Sequence, residues 1–429
     1  MRNSLVRYQA HPVRIAGNLI EAPLAHVRIG ELCEIRRNWR DPEVVAKAVV
    51  LGFQPDTTLL SLIGQVSGLT RDVVISPTGE SFVITVSEQM MGSVISATGE
   101  VAERFVDPGL ASNTEVRHVN ALPPGYHERR GIGEPLLTGV RAIDGLLPCG
   151  LGQRMGIFAA AGCGKTTLMQ MLIENAKADL FVIALIGERG REVTEFIEEM
   201  RQSGFGERCI VVYATSDYSA VDRMNAAAIA MTIAEYFRDH GRDVVLFLDS
   251  ITRYARALRD VALLAGEPPA RRGYPASVFE RLPALLERPG VTEKGSITAF
   301  FTILLESEDD TDPVAEEIRS IIDGHIILSR KLASKNHYPA IDVLRSVSRV
   351  SAKVSTHEHQ SLAGQVRNLM SRIEDLQVII DFGEYQPGVS TENDSVYKLI
   401  APVRAFLCQG VHEKESLENT LEKLNALIK

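Results

Sequence analysis

The stretch Arg154-Met-Gly-Ile-Phe-Ala-Ala-Ala-Gly-Cys-Gly-Lys-Thr-Thr167 leads an apolar strand into a glycine turn, and Leu168-Met-Gln-Met-Leu172 continues it as a helix. A turn of this kind aims successive backbone N–H groups at one point, and the helix presents the positive end of its dipole to the same point. The residue types suit a nucleoside triphosphate. Gly162, Cys163 and Gly164 supply N–H groups, Lys165 reaches the β- and γ-phosphates, and Thr166, followed by Thr167, offers a hydroxyl to Mg2+. Ala159 stands where the pattern places its first glycine, which the turn tolerates if that residue keeps a negative φ. A plain core turn with a solvated Lys165 would leave the two glycines without a reason. Cys163, at a helix start inside the cradle, is expected to be a thiol with a lowered pKa that ATP protects from reagents.

Two more strand ends carry acids. Leu185-Ile-Gly-Glu-Arg-Gly-Arg-Glu192 places Glu188 where hydrolysis needs a carboxylate to orient water, with Arg189 near the departing phosphate and Glu192 on a metal-bound water. The competing reading is a surface loop of self-paired acids and arginines. Val244-Val-Leu-Phe-Leu-Asp249 is an apolar strand that ends on a carboxylate suited to phosphate-bound Mg2+. Asp249-Ser250 is also a helix cap by residue type.

The elements that must hold these residues follow from periodicity. Short β-rich pieces at 14–20, 30–35, 44–50, 58–63 and 81–86, separated by Gly, Pro, Asn and Asp, predict a small barrel over 1–88. The pattern weakens over 89–130, which reads as a connection. Over 131–350 buried-looking strands (155–158, 180–186, 209–214, 244–248, 297–305, 326–329) alternate with helical stretches (166–176, 219–240, 250–264). That alternation implies a parallel sheet covered on both faces, with ligands at the carboxyl ends of its strands. Over 351–429 strand signals stop. Leu362, Val366, Leu369, Ile373, Leu376 and Ile380 form one helical stripe, and Leu417, Leu421, Leu424 and Ile428 form another. The Pro- and Gly-rich stretch 266–290, with Arg271, Arg272 and Gly273, reads as a loop.

At 429 residues the chain is too long for one core. Its composition, 45% apolar and 24% charged, is that of an ordinary soluble protein, and a net charge of −9 argues against a broad nucleic-acid footprint. Five scattered cysteines without CxxC spacing suit a reducing compartment, and the N-terminal residues carry no signal-peptide pattern. Apolar runs are of strand length, so any membrane association is expected to be peripheral.

Gly139-Val-Arg-Ala-Ile-Asp-Gly145, the Gly187–Glu192 segment, Asp249-Ser-Ile-Thr-Arg-Tyr-Ala-Arg256 and Tyr338-Pro-Ala-Ile-Asp-Val-Leu-Arg-Ser-Val-Ser-Arg349 resemble the family of rotary ATP synthase catalytic subunits. Within it the chain is most similar to the ATPases of bacterial type III secretion systems of the invasion-associated injectisome, with the flagellar export ATPase a close relative. The likeness spans nearly the whole chain. It implies an α/β, RecA-like P-loop NTPase core between an N-terminal β-barrel and a C-terminal helical domain. It implies a homo-oligomeric ring, a hexamer, that hydrolyses ATP with Mg2+ and drives chaperone release, unfolding and export of proteins. On that resemblance Lys165, Glu188, Arg189 and Asp249 serve the reaction, Tyr338 packs on adenine, and Arg349 is a finger that reaches the neighbouring subunit's site. The competing role for Arg349 is a local salt bridge behind Ser346 and Ser348, and for Tyr338 simple core. The family further implies a central stalk protein meeting loop 266–290, a peripheral regulator or stator protein, chaperone–effector complexes on the C-terminal helices, and an export gate. It places the protein in the cytoplasm, peripheral to the bacterial inner membrane. A Rho-like nucleic-acid motor shares this core, but the first domain lacks an aromatic-plus-basic stretch, so no specific nucleic acid is expected. A scaffold that binds ATP without turnover is the third reading.

Overall fold

The computed structural model describes residues 8–64, 68–108, 113–305 and 312–429. The chain forms two compact units. One comprises Met1–Pro123, Val182–Phe237 and Leu248–Arg288, and the other Pro124–Phe181, Arg238–Phe247 and Pro289–Lys429.

In the first unit, six antiparallel strands in the order Arg14–Ala16, Leu19–Ala22, Thr58–Ile63, Ala46–Phe53, Glu31–Arg36, Val74–Ser81 make the expected barrel. Ala10, just before the first strand, exchanges both backbone hydrogen bonds with Ile75 on the last (3.1 and 2.9 Å), which closes the sheet on itself and leaves no free edge there. Ile20, Cys33, Ile35, Ala48, Leu60 and Ile75 alternate inward to fill it. The predicted strand 14–20 is a hairpin instead, because Gly17 takes a left-handed φ of 61° and turns the chain between Ala16 and Leu19.

Stretch 89–130 is more than the connection expected. It carries Ser93–Ile95, Val101–Arg104 and Glu115–His118, and Ser93–Ile95 runs parallel to Cys209–Ala214. Strands of three and four residues are too short to show a period in sequence. The same unit holds the helices Gly190–Ser203, Ala220–Asp239, Ile251–Leu264 and Ala276–Leu286. The last corrects the reading of 266–290 as loop throughout. Pro283 lies inside that helix and disguised it.

In the second unit, Arg154–Ala159 runs parallel to both Ser296–Leu304 and Gly324–Leu328, and Ile341–Ser348 closes the edge antiparallel to Gly324–Leu328. Five of the six residues of Arg154–Ala159 are buried, which explains a run of apolar residues rather than an alternation. Helices His357–Asp381, Thr391–Leu407 and Leu417–Ala426 end the chain, so the region after 350 is helical as expected. Thr391–Leu407 was hidden by Pro402.

One buried cation ties the helical end of this unit to the start of its nucleotide-binding segment. Arg141, 4% exposed, donates to the carbonyls of Phe406 (2.9 Å) and Cys408 (2.5 Å) and pairs with Glu413 and Glu415. Gln409 completes the clasp, accepting from the Arg141 N–H and donating to the Gly139 carbonyl. The Lys423 hydrogen bond, joined by Arg141 and opposed by burial, holds the Glu415 carboxyl below its ordinary range. A carboxyl depressed in the folded state contributes stability above its unfolded pKa of about 4.3 and loses it as pH falls through the folded value. Arg141→Met is therefore expected to cost about 3 kcal/mol near pH 7, by leaving two carbonyls and two acids short of a donor. Denaturant melts against pH should show the gap from the parent narrowing below about pH 4.

Candidate nucleotide site

The cradle belongs to the second unit. Arg154–Ala159 ends on Ala159, which is absent from the residues with positive φ, so the position carries no demand for glycine. The chain then turns through Gly162 (φ 79°) and Gly164 (φ 82°) into the helix Lys165–Asn175. Gly164 is its N-cap, and no side chain caps the helix there. An added Cβ on Gly162 would meet nothing within 4 Å, and one on Gly164 would lie 2.8 Å from Cε1 of Tyr338. One glycine thus faces open space while the other lets an aromatic ring lie against the turn.

Thr166 is exposed and Lys165 half-buried. An open turn, an uncapped helix start, a lysine and an exposed hydroxyl are the donor set that a triphosphate with Mg2+ requires. Cys163 contradicts the expectation of a reactive thiol. Its side chain is 1% exposed, so it serves the turn through its backbone and not its sulfur.

The segment Gly139–Asp144 sets the far end of the cradle helix. Asp144 accepts from the Thr138 N–H (2.9 Å), the Thr138 hydroxyl (2.6 Å) and the Gly139 N–H (2.8 Å). Gly139, at φ 71°, leaves only 2.7 Å between an added Cβ and Cβ of Asn175, the helix's last residue. Arg330, which the sequence reading did not single out, donates to the Ala161 carbonyl at 3.4 Å.

Tyr338 is half-buried, so it is not simply core, and its carbonyl accepts from Gln409 N–H at 2.9 Å. Arg349 follows the strand Ile341–Ser348 and is exposed. Its N–H donates to the Asp323 carbonyl (2.9 Å) and its Nη2 to the Arg319 carbonyl (3.3 Å). The Asp323 carboxylate is committed to Arg154 at 2.9 Å, and among the described residues Arg349 has no acidic partner. The local salt bridge considered for it is not formed.

The acids belong to the first unit. Gly187 turns at φ 70°, and an added Cβ there would lie 2.9 Å from Cδ of Arg253. Arg253 pairs with Glu188 at 3.0 Å and also donates to the Gly187 carbonyl. Glu188 is 6% exposed, so its carboxylate is held in place rather than waving in solvent. Arg253 lies in a motif quoted above, yet its partner could be found only in three dimensions. Arg189 and Glu192 lie 3.6 Å apart on the surface, 75% and 40% exposed, which is the self-paired arrangement. Asp249 is buried at the end of Asp243–Asp249. The side chain that caps the next helix is Ser250, which accepts from Arg253 N–H at 3.3 Å, so Asp249 is not spent on the cap.

With this geometry in hand, three family matches tile the chain. Residues 12–79 match the ATP synthase alpha/beta family beta-barrel domain, 139–348 its nucleotide-binding domain, and 355–426 the C-terminal domain of the type III secretion ATPase EscN. The SPI-1 type 3 secretion system ATPase of Salmonella typhi is 59% identical over 98% of both chains. This chain belongs to the type 3 secretion system ATPases. The family makes it an ATP-binding hydrolase, and it is also related to the flagellum-specific ATP synthase of Bacillus subtilis, 43% identical over 100% of this chain and 96% of that one. Its fold matches the assembled ATPase EscN of enteropathogenic E. coli with a TM-score of 0.88, at 43% identity, covering 98% of this chain and all of that one. EscN has also been solved in complex with its central stalk EscO, and that chain matches with a TM-score of 0.87. Among the described residues, no helix is long and apolar enough to cross a membrane.

Gly164→Ala is expected to lose nucleotide affinity by about tenfold or more, since the new methyl must displace the Tyr338 ring from a backbone that already favours glycine. Its far-ultraviolet circular dichroism should match the parent's. Gly162→Ala shares the φ penalty without the clash, so its affinity, read from labelled ADP titrations, should fall less.

Proposed function

We propose that the chain is one subunit of a homo-oligomeric ring, a hexamer, whose Mg2+-dependent ATP hydrolysis energises chaperone release, unfolding and export of proteins through a type III secretion system. The observation that carries the reading is Arg349, an exposed guanidinium with no acidic partner among the described residues. An exposed cation at a strand end, left without a carboxylate by its own subunit, suits a task on another copy.

In this reading N–H groups of 162–167 and Lys165 hold the triphosphate, and Glu188, steadied by Arg253, orients the attacking water. Thr166 and Asp249 are the residues that would hold Mg2+, which when bound neutralises charge on the phosphates. Tyr338 packs on adenine, and Arg349 of the adjacent copy stabilises the charge that develops as the terminal phosphoryl leaves. Arg189 and Glu192 are joined to each other on the surface. An arginine finger is worth about 10³ to 10⁵ in rate, or about 4 to 7 kcal/mol of transition-state stabilisation, so a lone subunit is a poor catalyst.

The name of one relative supports one further assignment. A central stalk is a partner of EscN, and a stalk of that kind is proposed here for the surface near Arg271 and Arg272. A stator protein, chaperone–effector complexes, an export gate and a peripheral position at the cytoplasmic face of the inner membrane complete the proposal. The 59% identity to an injectisome ATPase, against 43% to a flagellar one, favours the injectisome.

Mixing two inactive variants tests the finger. Glu188→Gln and Arg349→Ala should each cut turnover by at least about 10³ while nucleotide affinity stays within a few-fold. Mixed in equal amounts before assembly, they should recover about a quarter of parental turnover, because one boundary in four joins an intact Glu188 to an intact Arg349. A mixture as inactive as its components would overturn action between subunits. Parental turnover should also rise more than linearly with protein concentration.

A further inference from the structure

In the second unit a cavity of about 240 Å3 lies between the end of the strand Ile341–Ser348 and the helix His357–Asp381. Its polar wall is Ser348, Ser351, Ser355, His359, Gln360 and Arg367, and no aspartate or glutamate lines it. Most of these groups have partners. Ser348 donates to the Pro148 carbonyl at 2.7 Å and Ser355 to the Ser351 carbonyl at 2.5 Å. Gln360 donates to the Ala352 and Ser355 carbonyls, and His359 hydrogen-bonds the Gly145 carbonyl at 2.9 Å.

Arg367 is different. Its Nε is buried with no hydrogen-bond partner, its Nη2 reaches only the Ser346 carbonyl at 3.4 Å, and among the described residues it has no acidic partner. Unlike an amide, a guanidinium can only donate, so the unmet group calls for an acceptor. Burial alone disfavours its charged form. A second unusual feature lies on the same wall. Gly364, inside the long helix, weakens that helix relative to alanine, and an added Cβ there would meet nothing within 4 Å. Packing does not require the glycine, which is one of the residues that line the cavity.

We propose that this cavity binds a small tetrahedral oxyanion of the phosphate class, held by the Arg367 guanidinium and the Ser351 hydroxyl. A planar donor fork beside a hydroxyl matches several oxygens of one anion, whereas water leaves the buried charge without a counter-charge. The cavity wall includes Ser348, the residue before Arg349, so an anion here sits one residue from the finger. The site stands or falls independently of ring assembly.

The test uses the full chain with 15N-labelled arginine side chains and Mg2+ with a non-hydrolysable ATP analogue in excess, which fills the γ-phosphate position, so that phosphate cannot report through the cradle. The Arg367 Nε–H resonance is assigned by its loss in Arg367→Gln. Inorganic phosphate in the millimolar range should shift that resonance saturably, while sodium chloride at matched ionic strength should not. Gly364→Leu, which fills the cavity, should weaken the response about tenfold, and Ser351→Ala several-fold, with melting temperatures near the parent's. A resonance that ignores phosphate, or responds equally to chloride, would sink the proposal. So would a response unchanged in both Gly364→Leu and Ser351→Ala.

Discussion

Everything in the nucleotide-binding unit depends on a stretch of backbone bent into a shape that side chains oppose. Gly162 and Gly164 sit in the left-handed region, where a Cβ carries a steric penalty, and at Gly164 there is also no room for one because Tyr338 occupies its place. The turn is steadied at both ends. The buried strand Arg154–Ala159 lies between two parallel neighbours, and the helix Lys165–Asn175 is seated against Gly139 by the Asp144 hydrogen bonds. A rigid strand and a seated helix leave the turn little freedom, which favours a fixed direction for its N–H groups.

The strand-end acids in the other unit show the same economy with different means. Glu188 is buried and could not be kept there as a lone charge, and Arg253 answers that with an ion pair and a bond to the Gly187 carbonyl. Arg253 is itself placed by its own N–H, which donates to Ser250, the cap of its helix. One helix start therefore fixes the cation that holds Glu188. The cap is the Ser250 side chain and not that of the aspartate before it.

How much of this was legible in the chain itself depended on length and on distance. The cradle, the strand-end acids, the barrel and the terminal helices were readable because each is a local pattern whose residues follow one another. Ser93–Ile95 was not, since three residues carry no period and its partner strand lies more than a hundred positions on. The helices around Pro283 and Pro402 were missed because proline signals a break that tertiary packing overrode. Cys163 was misjudged for a related reason. Its place at a helix start was correct, but burial, which decides whether a thiol can react, is a property of everything packed around it. The partners of Arg253, Arg330 and Arg141 were not legible, because a long cation's partner is the last thing a linear pattern reveals.

Arg349 differs from Arg141, Arg154 and Arg253. Arg141 and Arg253 each found a carboxylate within the subunit, and Arg154 took that of Asp323, whose carbonyl accepts from the Arg349 N–H. The backbone thus holds Arg349 firmly while its side chain stays exposed. A side chain anchored at its root and without a carboxylate at its tip pays little conformational entropy in the backbone when it engages a neighbour, and no internal ion pair has to break first. If one copy supplies the base and the next supplies the cation, hydrolysis becomes conditional on assembly. Such a division keeps an isolated subunit from spending ATP where there is nothing to export.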